Sequence, residues 1–184
     1  MAIIHPSTLI PTKLELLEEW LATPASGGLA GPGELRRVGS YRFDDPAGEV
    51  GIEALLVTRG GPVRHVVLTY RAEPLEGAAE HQIATMEHSV LGRRWVYDGT
   101  GDPVALAAYR RALAGLQHQA ALEVWEGDTL VETREPTVGL TVWDPAASPD
   151  GLSVRFAREP GAVETGSPAL VATWDGGSGV VATA

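Results

Sequence analysis

The sequence predicts an α+β fold, on three observations. A capping box and a proline-opened segment mark two helices within the first 117 residues, apolar runs flanking Gly60-Gly61 mark a hairpin between them, and short apolar runs separated by turn signals fill the remainder. At 184 residues, 44% hydrophobic and 21% charged, the chain can bury a continuous core. Its 22 glycines and 13 prolines favour many short elements joined by turns over a few long helices.

In chain order, Thr12-Lys13-Leu14-Glu15 pairs a hydroxyl and a carboxylate that can each satisfy the other's backbone amide, so a helix starts here. Leu14, Leu17 and Leu21, with Leu16 and Trp20 beside them, form its apolar stripe, and Glu15, Glu18 and Glu19 face outward. Pro24 and the glycines from Gly27 to Gly33 end it, which leaves residues 22–34 as loop. Val50 to Val57 and Val63 to Tyr70 read as the two strands of the hairpin. In the second, Val66, Leu68 and Tyr70 form the better core face, which places His65 outward or at a rim. Arg94 to Asp98 reads as a further strand. Asp102 and Pro103 then open a second helix with an acidic cap and a proline at its first position; Val104, Leu106, Ala108, Tyr109 and Leu113 form its apolar side, and Gly115 ends it.

After residue 117 the apolar runs are Leu122 to Trp125, Thr129 to Val131, Val138 to Trp143, Leu152 to Phe156, Leu170 to Trp174 and Val180-Val181. The expected turns between them are Gly127-Asp128, Asp144-Pro145, Pro149-Asp150-Gly151, Glu159-Pro160-Gly161 and Asp175-Gly176-Gly177. This divides the chain into residues 1–117 and a β-rich part, 118–184, packed on or next to the first.

Composition excludes several function classes. A formal net charge of −10, with no basic run longer than an Arg-Arg pair, opposes nucleic acid and anionic membrane surfaces. No apolar stretch approaches the length of a bilayer span, and Met1 to Pro6 carries no signal-peptide pattern, so the expected location is the cytoplasm. With no cysteine, thiolate chemistry and cysteine-based metal sites are ruled out.

The residues that carry chemistry elsewhere are sparse here. His81 and His88, with Glu80 and Glu87, are the densest group of metal-ligand types, but a seven-residue separation is wrong for zinc on one helix, and hydrogen-bonded loop histidines are the favoured reading. Asp44, Asp45 and Glu49 read as a turn with carboxylates on nearby amides rather than as a cation loop. Ser178 among Gly176, Gly177 and Gly179 lacks the spacing of a nucleophile elbow and reads as a flexible tail. Phosphoryl transfer normally draws on a phosphate-binding lysine and a metal-binding asparagine; Lys13 is the sole lysine, and there is no asparagine. No cofactor, metal site or catalytic residue is expected. Among the aromatics, Trp20, Trp95, Tyr97 and Trp125 read mainly as core, whereas Trp143 and Trp174 stand evenly between core and exposed patch.

Thr8 to Leu17 with Trp20-Leu21, Phe43 to Glu53, Leu68 to Arg71, Glu87 to Gly99 and Asp102 to Val104 together resemble the maltokinase N-terminal cap-like proteins of actinobacteria, over roughly residues 3–115. The resemblance implies a curved antiparallel sheet packed with two or three helices and no catalytic residue, standing alone without kinase lobes. The loop Ala25 to Ala30 departs from the Arg-Trp-Tyr-like segment of the full kinases, and Arg155 in Val154-Arg155-Phe156 stands where an N-lobe strand would carry lysine. The implied role is a non-catalytic interaction or regulatory module, with a sugar kinase, another enzyme of glucan or trehalose metabolism, or a second copy as partner. The alternative is a carbohydrate or nucleotide bound in the concave sheet near His65, Tyr70, His88 and Trp95. An enzyme would need the His81–His88 segment to converge with Asp44 or Asp45.

Overall fold

In the computed structural model, residues 2–4, 8–29, 31–126, 129–134, 136–162 and 167–184 are described, without the side chains of strand residues 2–4, 122–126, 129, 130 and 134. The Met1, His5-Pro6 and Gly127-Asp128 expectations and the Trp125 side chain lie outside the described residues.

A curled antiparallel sheet of six strands carries the fold. Its strands are β2 (Leu9–Ile10), β3 (Arg36–Phe43), β4 (Gly51–Thr58), β5 (Arg64–Arg71), β6 (Gln82–His88) and β7 (Gly92–Asp98), in the order β2-β6-β7-β5-β4-β3. A second antiparallel sheet has the order β10-β12-β13-β11, from β10 (Val138–Trp143), β11 (Arg155–Gly161), β12 (Ala169–Trp174) and β13 (Gly177–Thr183). In a third, β1 (Ala2–Ile4) runs parallel to β8 (Leu122–Glu126), which pairs antiparallel with β9 (Thr129–Arg134).

The helices form where the capping residues place them. α1 (Lys13–Leu21) opens on the full reciprocal capping box of Thr12 and Glu15, and buries Leu16, Leu17, Trp20 and Leu21. α2 (Pro103–Leu113) starts at Asp102, whose side chain accepts from the Val104 amide, and Gly115 follows with φ 72°, the left-handed turn that glycine adopts without strain.

Each of the two helices covers one face of the large sheet. Because strand side chains alternate, Leu55, Val57, Val66, Leu68 and Val96 meet α1, while Ile52, Ala54, Leu56 and Val67 meet Tyr41, Phe43 and α2 on the opposite face. That second cluster also takes Val138, Leu170, Ala172, Val181 and Ala182, so one core draws side chains from both sides of residue 117. The approach is close: a Cβ on Gly39 of β3 would come within 2.6 Å of Val138 Cγ2.

Double coverage corrects several expectations. His65 is not outward or at a rim but 2% exposed, because β11 and α2 cover the face of β5 that simple alternation leaves to solvent. Glu159-Pro160-Gly161 is not a turn; these residues lie in β11, which starts at Arg155 rather than Leu152 and tolerates Pro160 through an irregular register between Phe156 and Gly161. Gly176 to Gly179 is no flexible tail: Gly176 lies in the turn of the β12–β13 hairpin and Gly177 to Gly179 begin β13, in which Val180 and Val181 are buried.

Candidate functional site

The four residues expected to line one ligand site fall on two faces. His65 and Trp95 point to the α2 side, since Arg71 pairs with Trp95 and shares its face with His65, whereas Tyr70 and His88 share the α1 side with Val96 and Met86. Each is tied locally. His65 Nε2 lies 2.8 Å from the Tyr41 hydroxyl, which lies 2.7 Å from the Tyr109 hydroxyl, and His65 Nδ1 lies 3.2 Å from the Ala157 carbonyl oxygen. A carbonyl can only accept, so Nδ1 carries the proton, Tyr41 donates to Nε2 and Tyr109 donates to Tyr41. Burial brings the imidazole down to about 4, and the neighbouring Arg158 pushes the same way. His88 Nδ1 accepts the Val90 and Leu91 amides at 3.2 and 3.1 Å and fixes the turn that follows it. Trp95 is half-buried.

Tyr70 belongs to a charge cluster at the start of α1. Its hydroxyl donates to Glu53 Oε2 at 3.0 Å, Lys13 Nζ lies 2.5 Å from the same oxygen, and Arg42 Nη2 reaches Oε1 at 3.3 Å. Burial alone would raise the Glu53 carboxyl, but the charges of Lys13 and Arg42 and the hydrogen bonds from Lys13 and Tyr70 outweigh it and hold it near 2. All three groups donate to one carboxylate, so this is a clasp between helix and sheet. Asp45 is likewise occupied, accepting the amides of Ala47, Glu49 and Val50 as the turn reading expects. Among the described residues, no three His, Asp or Glu side chains gather closely enough to hold a metal ion.

What the structure leaves uncovered is an edge. β2 shields β6 only opposite Glu87 and His88, and among the described residues no strand pairs with the outer side of Gln82 to Met86. Beyond that stretch, in β2 and in the turn after β6, three large apolar side chains stand in solvent: Ile10 is 67% exposed, Val90 55% and Leu91 48%. Leu9-Ile10 is held there by strand pairing and by two hydrogen bonds between Thr8 and Ser89. These residues drew no attention as a site in the sequence; the signal was an apolar pair, Val90-Leu91, inside a three-residue turn before Gly92. Trp143, on the edge strand β10, is also 56% exposed, whereas Trp174 packs against the core.

The family model of the maltokinase N-terminal cap domain matches residues 20–102, from the end of α1 through the whole curled sheet except β2. This part of the chain is similar to the maltokinase N-terminal cap domain. In maltokinase that domain is a non-catalytic part. Comparison with curated proteins and with solved structures found no match. No described helix is long and apolar enough to cross a membrane.

Proposed function

We propose that this protein works by contact, as a non-catalytic cap-like module that docks on a partner protein through the sheet edge around Ile10, Val90 and Leu91. The observation that carries the reading is the apolar edge left in solvent on a cap-like domain whose two sheet faces are already filled by its own core. Exposed apolar side chains gathered at an open strand edge favour association over isolation. The partner we favour is a sugar kinase or another enzyme of glucan or trehalose metabolism, with the cytoplasm as the setting; a second copy of this chain is the competing occupant. In this reading residues 1–117 present the docking edge and residues 118–184 brace the sheet from behind.

Light scattering after size exclusion tests it, on the full chain alone and mixed with a maltose-phosphorylating kinase. The expected result is a heterocomplex weakened roughly tenfold or more by Ile10→Asp or Leu91→Asp, a loss of about 1.4 kcal/mol or greater. A concentration-dependent dimer sensitive to the same changes would move the role to self-association. A monomer that leaves the kinase free at every concentration would overturn the docking proposal.

A further inference from the structure

The middle of β11 is not held by the strand beside it. β11 pairs with β13 at Arg155, Phe156 and Gly161, while Ala157 to Pro160 bulge out of register, and the strand lies against β5 of the large sheet. Three successive residues of the bulge are clipped to that sheet through polar groups. The Ala157 carbonyl oxygen lies 3.2 Å from His65 Nδ1, Arg158 donates through Nη2 to Asp98 at the end of β7, and Glu159 Oε1 lies 3.6 Å from Arg64 Nη1. Phe156 and Gly161, both paired with β13, are the fixed points on either side.

These clips are closed at a cost. Arg64 Nε and Arg158 Nη1 are buried without a hydrogen-bond partner, and the two guanidiniums are near enough for each to feel the other's charge. Water reaching either N–H would relieve the penalty of an unmade bond. Pro160 has no N–H to offer a ladder, so the bulge gives up little backbone pairing when it lifts.

The hydrogen-bond chain beneath the bulge fits one charge state only. While Nδ1 of His65 donates to Ala157, Nε2 accepts from Tyr41 and Tyr41 accepts from Tyr109. A proton on Nε2 reverses the chain, so that Tyr41 accepts from the imidazole and donates to Tyr109. The Tyr109 hydroxyl proton is then stranded, since among the described residues Tyr41 is its hydrogen-bond partner and the rings of Phe43 and Phe156 stand beside it. The new charge also faces Arg158 on β11; Asp98 on β7 opposes it but is already taken by Arg158, Arg64 adds a second cation near Arg158, and Tyr41 on β3 and Tyr109 on α2 stay neutral. Lifting the bulge carries Arg158 away, frees Asp98 to face the imidazolium and admits water. Burial and Arg158 hold the covered imidazole near 4 against an ordinary 6.5, so the closed form is fully favoured above 6.5 and progressively less as pH falls toward 4.

We propose that Ala157 to Pro160 form an acid-released strap, closed over the sheet while the His65 imidazole is neutral and lifting between Phe156 and Gly161 when that imidazole takes up a proton. Opening bares the Tyr41–His65 pair and draws Arg158 off Asp98 and off the Trp20 ring, 5.3 Å away when closed, so the surface beside α1 changes in shape and charge. Relaxation-dispersion NMR of the full chain reads such a minor state on the microsecond-to-millisecond scale. The expected result is an open-to-closed ratio at Ala157, Arg158 and Glu159 that rises roughly twentyfold between pH 7 and pH 5, with the amides of α1 unchanged. His65→Gln, which keeps a donor and an acceptor but does not titrate, should abolish the rise. If that variant does not fold, the wild-type His65 ring decides, because a single opening must give its carbon signals the same exchange rate as the strap amides. No exchange at these amides at either pH, an equal rise in folded His65→Gln, a different rate at the His65 ring, or exchange that spreads in step to α1 would each overturn the strap.

Discussion

Glu53 and His65 are both almost fully buried, yet one is held charged and the other neutral, and the difference lies in what each touches. Glu53 has three cationic or hydroxyl donors around one carboxylate; its folded value near 2 lies below the ordinary 4.5, so it adds stability that is complete above about 4.5 and is lost as pH falls toward 2. Removing the charge with Glu53→Gln leaves Lys13 and Arg42 without their partner, and denaturant titration at pH 7 should show a loss of about 3 kcal/mol. His65 works in the opposite chemical sense but toward the same side of the pH scale. Its neutral ring is matched to Tyr41 and Ala157, and its value near 4 lies below the unfolded 6.5, so the unfolded chain takes up a proton first as pH drops. Its contribution is full above 6.5 and disappears between 6.5 and 4, a change of about 3 kcal/mol. Urea unfolding at pH 7 and pH 4 should show that much steeper a loss in the wild type than in His65→Gln; equal slopes would remove His65 as the cause. Neither role was legible from spacing, because both depend on partners 11 to 92 residues away.

Elements that begin or end on local chemistry were readable. The Thr12–Glu15 box and the Asp102-Pro103 start place both helices, and Gly60-Gly61 places the hairpin of β4 and β5. β3 and β6 were not read from pattern, since Arg36, Arg37 and Arg42 interrupt the one and Glu87 and two histidines surround the other, and their apolar residues acquire meaning only from the strands beside them. β11 was misplaced because Pro160 and Gly161 read as a turn in isolation. Asp102 does more than cap: Arg71 grips its two oxygens at 2.7 Å each and Thr69 donates to it at 2.7 Å, so α2 is bolted to β5 at its first residue. Asp102→Ala should therefore lose more than the roughly 1 kcal/mol of a missing cap, about 3 kcal/mol once Arg71 is stranded. Asp102→Asn, which keeps the cap, should fall between, and chemical denaturation of the two variants separates the terms.

Over the whole molecule, the cap-like resemblance was visible in the sequence across residues 3–115, and the family match covers 20–102. The shared core was not visible, because nothing in the spacing of Val138, Leu170 or Val181 says which surface they meet. Tyr41, Phe43 and Tyr109 have their cover partly from those residues, so a fragment of residues 1–117 should bind hydrophobic dye and unfold without a sharp transition; cooperative unfolding of that fragment would show the halves to be independent. Gly39→Val should act from the other side of the seam, lowering the melting temperature by several degrees as the new side chain meets Val138. The exposed apolar edge is the least legible feature, since exposure is a property of the assembled sheet and not of Ile10, Val90 or Leu91 as residues. On the proposed reading the chain acts through its surface and carries out no transfer of its own. The most direct test incubates the purified full chain with γ-labelled ATP and maltose or glucose. The account predicts no labelled sugar above the protein-free control; sugar phosphate that accumulates in proportion to the protein and is abolished by Lys13→Gln would contradict it.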